Sequence, residues 1–143
     1  MADYFTHFSC VLQVGSAENA AAAELIRKKL AQEIDREEHS ALGFDMDMDR
    51  EAGPDKLLIS SPGYGDPEHV IKFVLRCAEA FGLKGRWGFC WAYTCSRLRF
   101  DGFGGGTHVL DLGTRESVAD VDCSDFLARE IAREPTNGLE VAS

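Results

Sequence analysis

Along much of this chain apolar and polar positions alternate at a period of two, the mark of half-buried strands, and two long stretches switch to helical spacing. The first alternation covers Tyr4–Val14, with Tyr4, Phe8, Cys10, Leu12 and Val14 on one face and Phe5, His7, Ser9 and Gln13 on the other. Gly15 ends it, and Ser16 is placed to cap a helix that runs to about Glu38. Ala22, Ala23, Ile26, Leu30 and Ile34 share one side of that helix; Glu24, Arg27, Lys28 and Glu33 make its solvated side. Phe44, Met46 and Met48 then alternate strictly with Asp45, Asp47 and Asp49, predicting a half-buried strand with a carboxylate edge. Arg50–Asp55 reads as a turn, Lys56–Ser60 as a short strand and Pro62–Gly65 as a loop. Asp66-Pro67-Glu68 combines a capping carboxylate, a proline at the first helical position and an early acid. The helix it opens places Val70, Phe73, Val74, Cys77 and Phe81 on one side and stops at Gly82.

The stretch Arg86–Leu112 organises the rest. Trp87, Phe89, Trp91, Tyr93 and Cys95 share one face of a strand, and Gly88, Cys90, Ala92 and Thr94 share a thin one. A glycine-rich loop, Ser96–Gly106, leads to a strand at Thr107–Leu112, a turn around Gly113-Thr114 and a strand at about Ser117–Val121. Ser124 is expected to cap a last short helix holding Phe126, Leu127 and Ile131, and Pro135–Ser143 reads as a frayed tail. The order is β-α-β-β-α-β followed by β-β-α. It predicts an α+β fold: a split βαβ, or ferredoxin-like, core with a C-terminal ββα extension, sharing one mostly antiparallel sheet in a single domain over residues 1–134. In this plan the first and fourth strands pair at the sheet centre and both long helices cover one face. The thin side of the aromatic strand is expected to meet those helices, leaving its aromatic side for the third helix or a partner.

Charge narrows the function. With 15 basic and 24 acidic residues the 143-residue chain carries a net charge of -9, which argues against direct binding to a phosphate backbone and favours a basic protein or nucleoprotein partner. Five cysteines, an odd number, and no export signal predict reduced thiols in a cytoplasmic protein, and no apolar run is long enough for a membrane span.

Candidate chemistry falls into four sets. Asp45, Asp47, Asp49 and Glu51 form a negative patch; an EF-hand is excluded, because its sixth position would be Arg50 and its twelfth Lys56. Trp87, Trp91 and Tyr93 offer an aromatic recognition or homodimer face. Arg97 and Arg99, with Gly104, Gly105, Gly106 and His108, offer an alternative small-anion or ligand site, though no Lys-Ser/Thr follows the glycines as a P-loop needs. Cys95, His108 and Cys123 are the one arrangement conceivable for a metal or a thiol nucleophile, without any ligand-spacing signature. No catalytic residue, metal or cofactor is therefore assigned.

Trp87-Gly-Phe-Cys-Trp-Ala-Tyr-Thr-Cys-Ser-Arg-Leu-Arg, followed by Phe103-Gly-Gly-Gly, resembles a set of small uncharacterised proteins of bacteria, their plasmids and phages. Where those proteins carry Lys-Pro or similar after Cys-Ser, this chain has Arg97-Leu98. The resemblance implies a mobile-element setting, in which small acidic proteins act as inhibitors of host defence, anti-CRISPR proteins among them. The combined expectation is a non-enzymatic acidic binding module that occupies a basic, nucleic-acid-binding partner. The alternatives are the anion or ligand site, as a binding domain or weak enzyme, and a structural homodimer.

Overall fold

A computed structural model describes residues 3–48, 51, 53–61, 63–99 and 101–133. Nine elements follow in order: β1 (Tyr4–Gln13), α1 (Ala17–Glu38), β2 (Asp45–Met48), β3 (Lys56–Ser61), α2 (Pro67–Phe81), β4 (Arg86–Cys95), β5 (Gly104–Asp111), β6 (Glu116–Asp122) and α3 (Cys123–Ala132). The expected tail, Pro135–Ser143, lies outside the described residues, as does Asp49.

Local signals set the helix ends. Ser16 Oγ accepts the Asn19 N–H at 3.0 Å, while Asn19 Nδ2 donates back to the Val14 carbonyl at 2.8 Å, so the chain turns from β1 into α1 within a few residues. Asp66 accepts the Glu68 N–H at 2.9 Å with Pro67 behind it, and Gly82 closes α2 at φ +62, a left-handed conformation glycine adopts without strain.

The sheet order is β2-β3-β1-β4-β5-β6, and each neighbouring pair is antiparallel. The first four strands have the split βαβ order; β5 and β6 extend the sheet beyond β4. Phe8 and Leu12 of β1, Val14 just after it, Leu57 and Ile59 of β3, and Leu110 of β5 form one cluster with Leu30 and Ile34 of α1 and Phe73, Val74 and Cys77 of α2. Both long helices thus cover a single face.

The aromatic strand lies the other way round from the sequence expectation. The β1–β4 register sets Thr6 opposite Tyr93 and Tyr4 opposite Cys95, so odd-numbered residues of β4 share a face with even-numbered residues of β1. Of those β1 residues Phe8 and Leu12 are core, and Phe89 follows them in, 7% exposed, with its ring edge-on to Phe8 at 5.8 Å. Trp87 and Trp91 flank it, at ring-centroid distances of 5.4 and 5.2 Å, and pack against the same core. Trp87 Nε1 also donates to the Val11 carbonyl at 2.9 Å. The thin residues Gly88, Cys90 and Ala92 are exposed on the open face. A strand's alternation separates two faces; only pairing decides which one meets the helices.

The glycine triplet is likewise strand and not loop. Gly104, Gly105 and Gly106 pair with Tyr93, Ala92 and Trp91. A Cβ on Gly106 would lie 2.5 Å from Trp91 Cζ2, so the indole occupies the space that a side chain would take.

Carboxylates fasten the two helices to each other. Glu33 of α1 pairs with Arg76 of α2, and Glu38 contacts Lys72 at 3.8 Å and His69 at 3.1 Å. Bonding to Arg76 holds the Glu33 carboxyl below the ordinary glutamate value of 4.5, and bonding to His69 does the same for Glu38. A lowered folded-state pKa contributes stability above the unfolded value that is lost as pH falls through the folded one. Urea titrations are therefore expected to show stability declining below about pH 4.5, with Glu33→Gln flattening that decline. An unchanged slope in the variant would remove Glu33 from the account.

Candidate functional site

The sequence candidates are dispersed by the fold. Asp45 and Asp47 are exposed on β2, one edge of the sheet; Glu51 is exposed in the turn that follows. Charged residues on an edge strand also discourage pairing with other sheets. Trp87 and Trp91 are half-buried, while Tyr93 keeps an exposed ring near the strand end.

Arg97 and Arg99 are exposed beyond the end of β4. His108 pairs with Phe89, about 20 Å back along the strand from Cys95. Its buried ring has Nε2 at 2.8 Å from Ser117 Oγ and Nδ1 at 4.0 Å from Asp120. The backbone of Gly104–Gly106 is committed to the sheet, so the fold assembles neither the anion loop nor a Cys95–His108 pair. Burial pushes the thiols of Cys10 and Cys77 up to about 12, which keeps both as protonated, unreactive packing groups at neutral pH.

One group that sequence spacing did not reveal is Glu38, Asp66 and His69. His69 is buried; its Nε2 lies 3.1 Å from Glu38 and 3.3 Å from Asp66, and its Nδ1 accepts the Gly43 N–H at 2.9 Å. A nitrogen that accepts from an amide carries no proton, so in the neutral ring the proton sits on Nε2. A metal-ligating histidine normally has its second nitrogen donating outward, the reverse of this arrangement. The trio fits a structural clamp on the α1 end, the Gly43 bend and the α2 start.

An uncovered apolar surface lies at the other sheet edge. All of β6 is exposed, and its outer side pairs with no described strand. α3 follows without a linker, capped by Asp122 Oδ1, which accepts the Asp125 N–H at 2.9 Å; Asp122 takes the role expected of Ser124. No residue of α3 is buried. Phe126, Leu127 and Ile131 share one flank and are 53%, 59% and 75% exposed, while Asp125 and Arg129 pair at 3.3 Å on the opposite flank. Val118 and Val121 of β6 add to the exposed apolar surface, and Glu116, Asp120 and Asp122 add acid. The helix does not fold over the aromatic strand as the sequence allowed.

No family model, curated protein or solved structure matches the chain. Among the described residues, no helix is long and apolar enough to cross a membrane.

Proposed function

We propose that the protein is a docking module whose β6–α3 unit packs onto the basic surface of a protein partner. The observation that carries this reading is α3 itself, a capped helix of 10 residues with no buried residue, whose apolar Phe126, Leu127 and Ile131 all stay more than half exposed. An isolated helix shorter than about 12–15 residues is marginal in water, and most helical stability comes from packing an apolar face. A partner surface that covers Phe126, Leu127 and Ile131 supplies that packing. Charge selects the kind of partner. The net charge of -9, together with Glu116, Asp120 and Asp122 on the adjoining strand, complements a basic surface and opposes an approaching acidic one. A nucleic-acid-handling complex has such a surface. The resemblance over Trp87–Gly106 to proteins of phages and plasmids accords with a defence complex as the host target.

The test is capture from host lysate by the tagged chain and by Leu127→Asp/Ile131→Asp, at low and at high salt. The wild type is expected to retain a basic complex at low salt and shed it at high salt. The double variant should bind about thirtyfold more weakly with its thermal melt unchanged, as for loss of an interface hot spot. Equal retention by the variant would overturn the assignment. Asp45→Lys/Asp47→Lys at the other edge should mainly slow association. Light scattering on the isolated chain adds a second check: a dimer abolished by the double variant would reassign the surface to a second copy.

A further inference from the structure

The chain has three tyrosines, distant in sequence, and all three line one cleft of about 400 Å³. Tyr4 comes from the start of β1, Tyr64 from the β3–α2 connection and Tyr93 from the end of β4; Phe5 and Phe103 complete the aromatic lining. Among the described residues no hydrogen bond engages a tyrosine hydroxyl. Tyr4, Tyr64, Tyr93 and Phe103 line the cleft and remain exposed, Tyr64 the most. One carboxylate, Asp101, joins the lining, and no Lys, Arg or His does.

The backbone holds these walls in place. Asp3 N–H donates to Ser96 Oγ and Ser96 N–H to the Asp3 carbonyl, each at 2.8 Å, tying the chain beside Tyr4 to the end of β4. Thr6 N–H donates to the Gly63 carbonyl at 2.8 Å, and Thr6 bridges to Tyr64, fixing the second wall against β1. Gly102 sits so close to β4 that a Cβ there would lie 2.5 Å from Cys95 Cβ, which anchors the segment carrying Asp101 and Phe103. Gly65 keeps the floor low, since its Cβ would meet Phe8 and Ser61. The cleft is thus preformed, and its volume is in the range of small-molecule sites.

We propose that this cleft binds an organic cation of the alkylammonium or guanidinium class, seated on the tyrosine faces with Asp101 as counter-charge. Aromatic faces carry negative potential and attract a cation within about 6 Å of a ring centre. A carboxylate and the absence of basic lining residues reinforce that sign and disfavour an anion; the net charge of -9 concentrates cations nearby. A nucleotide can stack on the rings, but nothing here neutralises its phosphate. The cation has two sources, a free quaternary ammonium compound or a lysine or arginine side chain presented by another protein. The proposal does not depend on docking at α3.

The experiment is amide-detected NMR of the full chain, titrated separately with choline and with 3,3-dimethyl-1-butanol, its uncharged isostere. Choline is expected to shift amides at Tyr4, Tyr64, Tyr93 and Gly102, and the alcohol to bind at least about tenfold more weakly. Tyr64→Ala and Asp101→Asn, both at exposed positions, should each weaken choline about three- to fivefold and leave the spectrum otherwise folded. Equal affinity for the alcohol, shifts elsewhere, or no shift at choline on the order of 50 mM would overturn the proposal. A short peptide carrying trimethyl-lysine distinguishes the sources. Binding at least about tenfold tighter than choline assigns the cleft to a presented side chain, and no gain assigns it to a free cation.

Discussion

Phe89→Ala is expected to cost about 3–5 kcal/mol of folding stability, a fall in melting temperature of about 10 °C or more. The size follows from its surroundings. The ring is almost fully buried, edge-on to Phe8 and flanked by Trp87 and Trp91, so truncation opens a cavity among rigid aromatic groups that cannot collapse into it. Val11→Ala, on the exposed face of the same sheet, should change stability by no more than about 0.5 kcal/mol. Urea unfolding of both variants reads the contrast directly. If Phe89→Ala unfolds like the wild type, the aromatic face is not the one beneath the helices.

His69→Ala should be almost as damaging, at about 3 kcal/mol. It strands the buried Gly43 N–H, which alone costs about 1–3 kcal/mol, and it removes a packed ring from the junction of α1, the Gly43 bend and α2. His69→Phe keeps the ring but offers no acceptor, so it should recover only the packing part. His69→Asn, whose carbonyl can accept from Gly43, should recover more. Gly43 cannot relax away from the lost bond, because a Cβ there would lie 2.5 Å from Asp66 Cβ and backbone already fills the space. Zinc should leave the melting temperature of the wild type unchanged, since Nε2 carries the proton that a metal would have to displace. Marked stabilisation by zinc would mean the ring can reorganise and that the clamp is a ligand set.

Element order was legible in the sequence because its signals are local. Ser16, Asp66-Pro67 and Gly82 cap where they stand, and Met46 packs against the core between the exposed Asp45 and Asp47, although Met48 at the strand end is exposed. The six-element order then implied the split βαβ sheet. What stayed hidden depends on pairing. The Trp87–Cys95 pattern is consistent with either face meeting the helices, and only its register with β1 decides. Small residues at Gly88, Cys90 and Ala92 looked like room for a helix; in the structure they are the exposed side of a sheet. Gly104–Gly106 looked like a loop because glycine is rare inside strands, yet an indole lying across Gly106 gives the triplet its reason. The candidate sites were less legible still. Tyr4, Tyr64 and Tyr93 belong to three separate segments, and nothing in the chain between them marks their convergence. For α3 the apolar positions were visible, but not that they would face outward.

The two ends of the sheet lead different energetic lives. The β2 end shares the core through Met46, whereas no residue of β6 or α3 is buried. Opening the β6–α3 unit therefore unburies no side chain of its own, costing chiefly the β5 ladder and the cover of the His108 ring, and its local unfolding free energy lies below that of the whole domain. A change in Phe126 or Ile131 can remodel this exposed surface, and with it the proposed docking, while the core stays as stable as before. On the proposed docking role, adhesion and foldability are written in separate parts of one chain, and either can drift without dragging the other along.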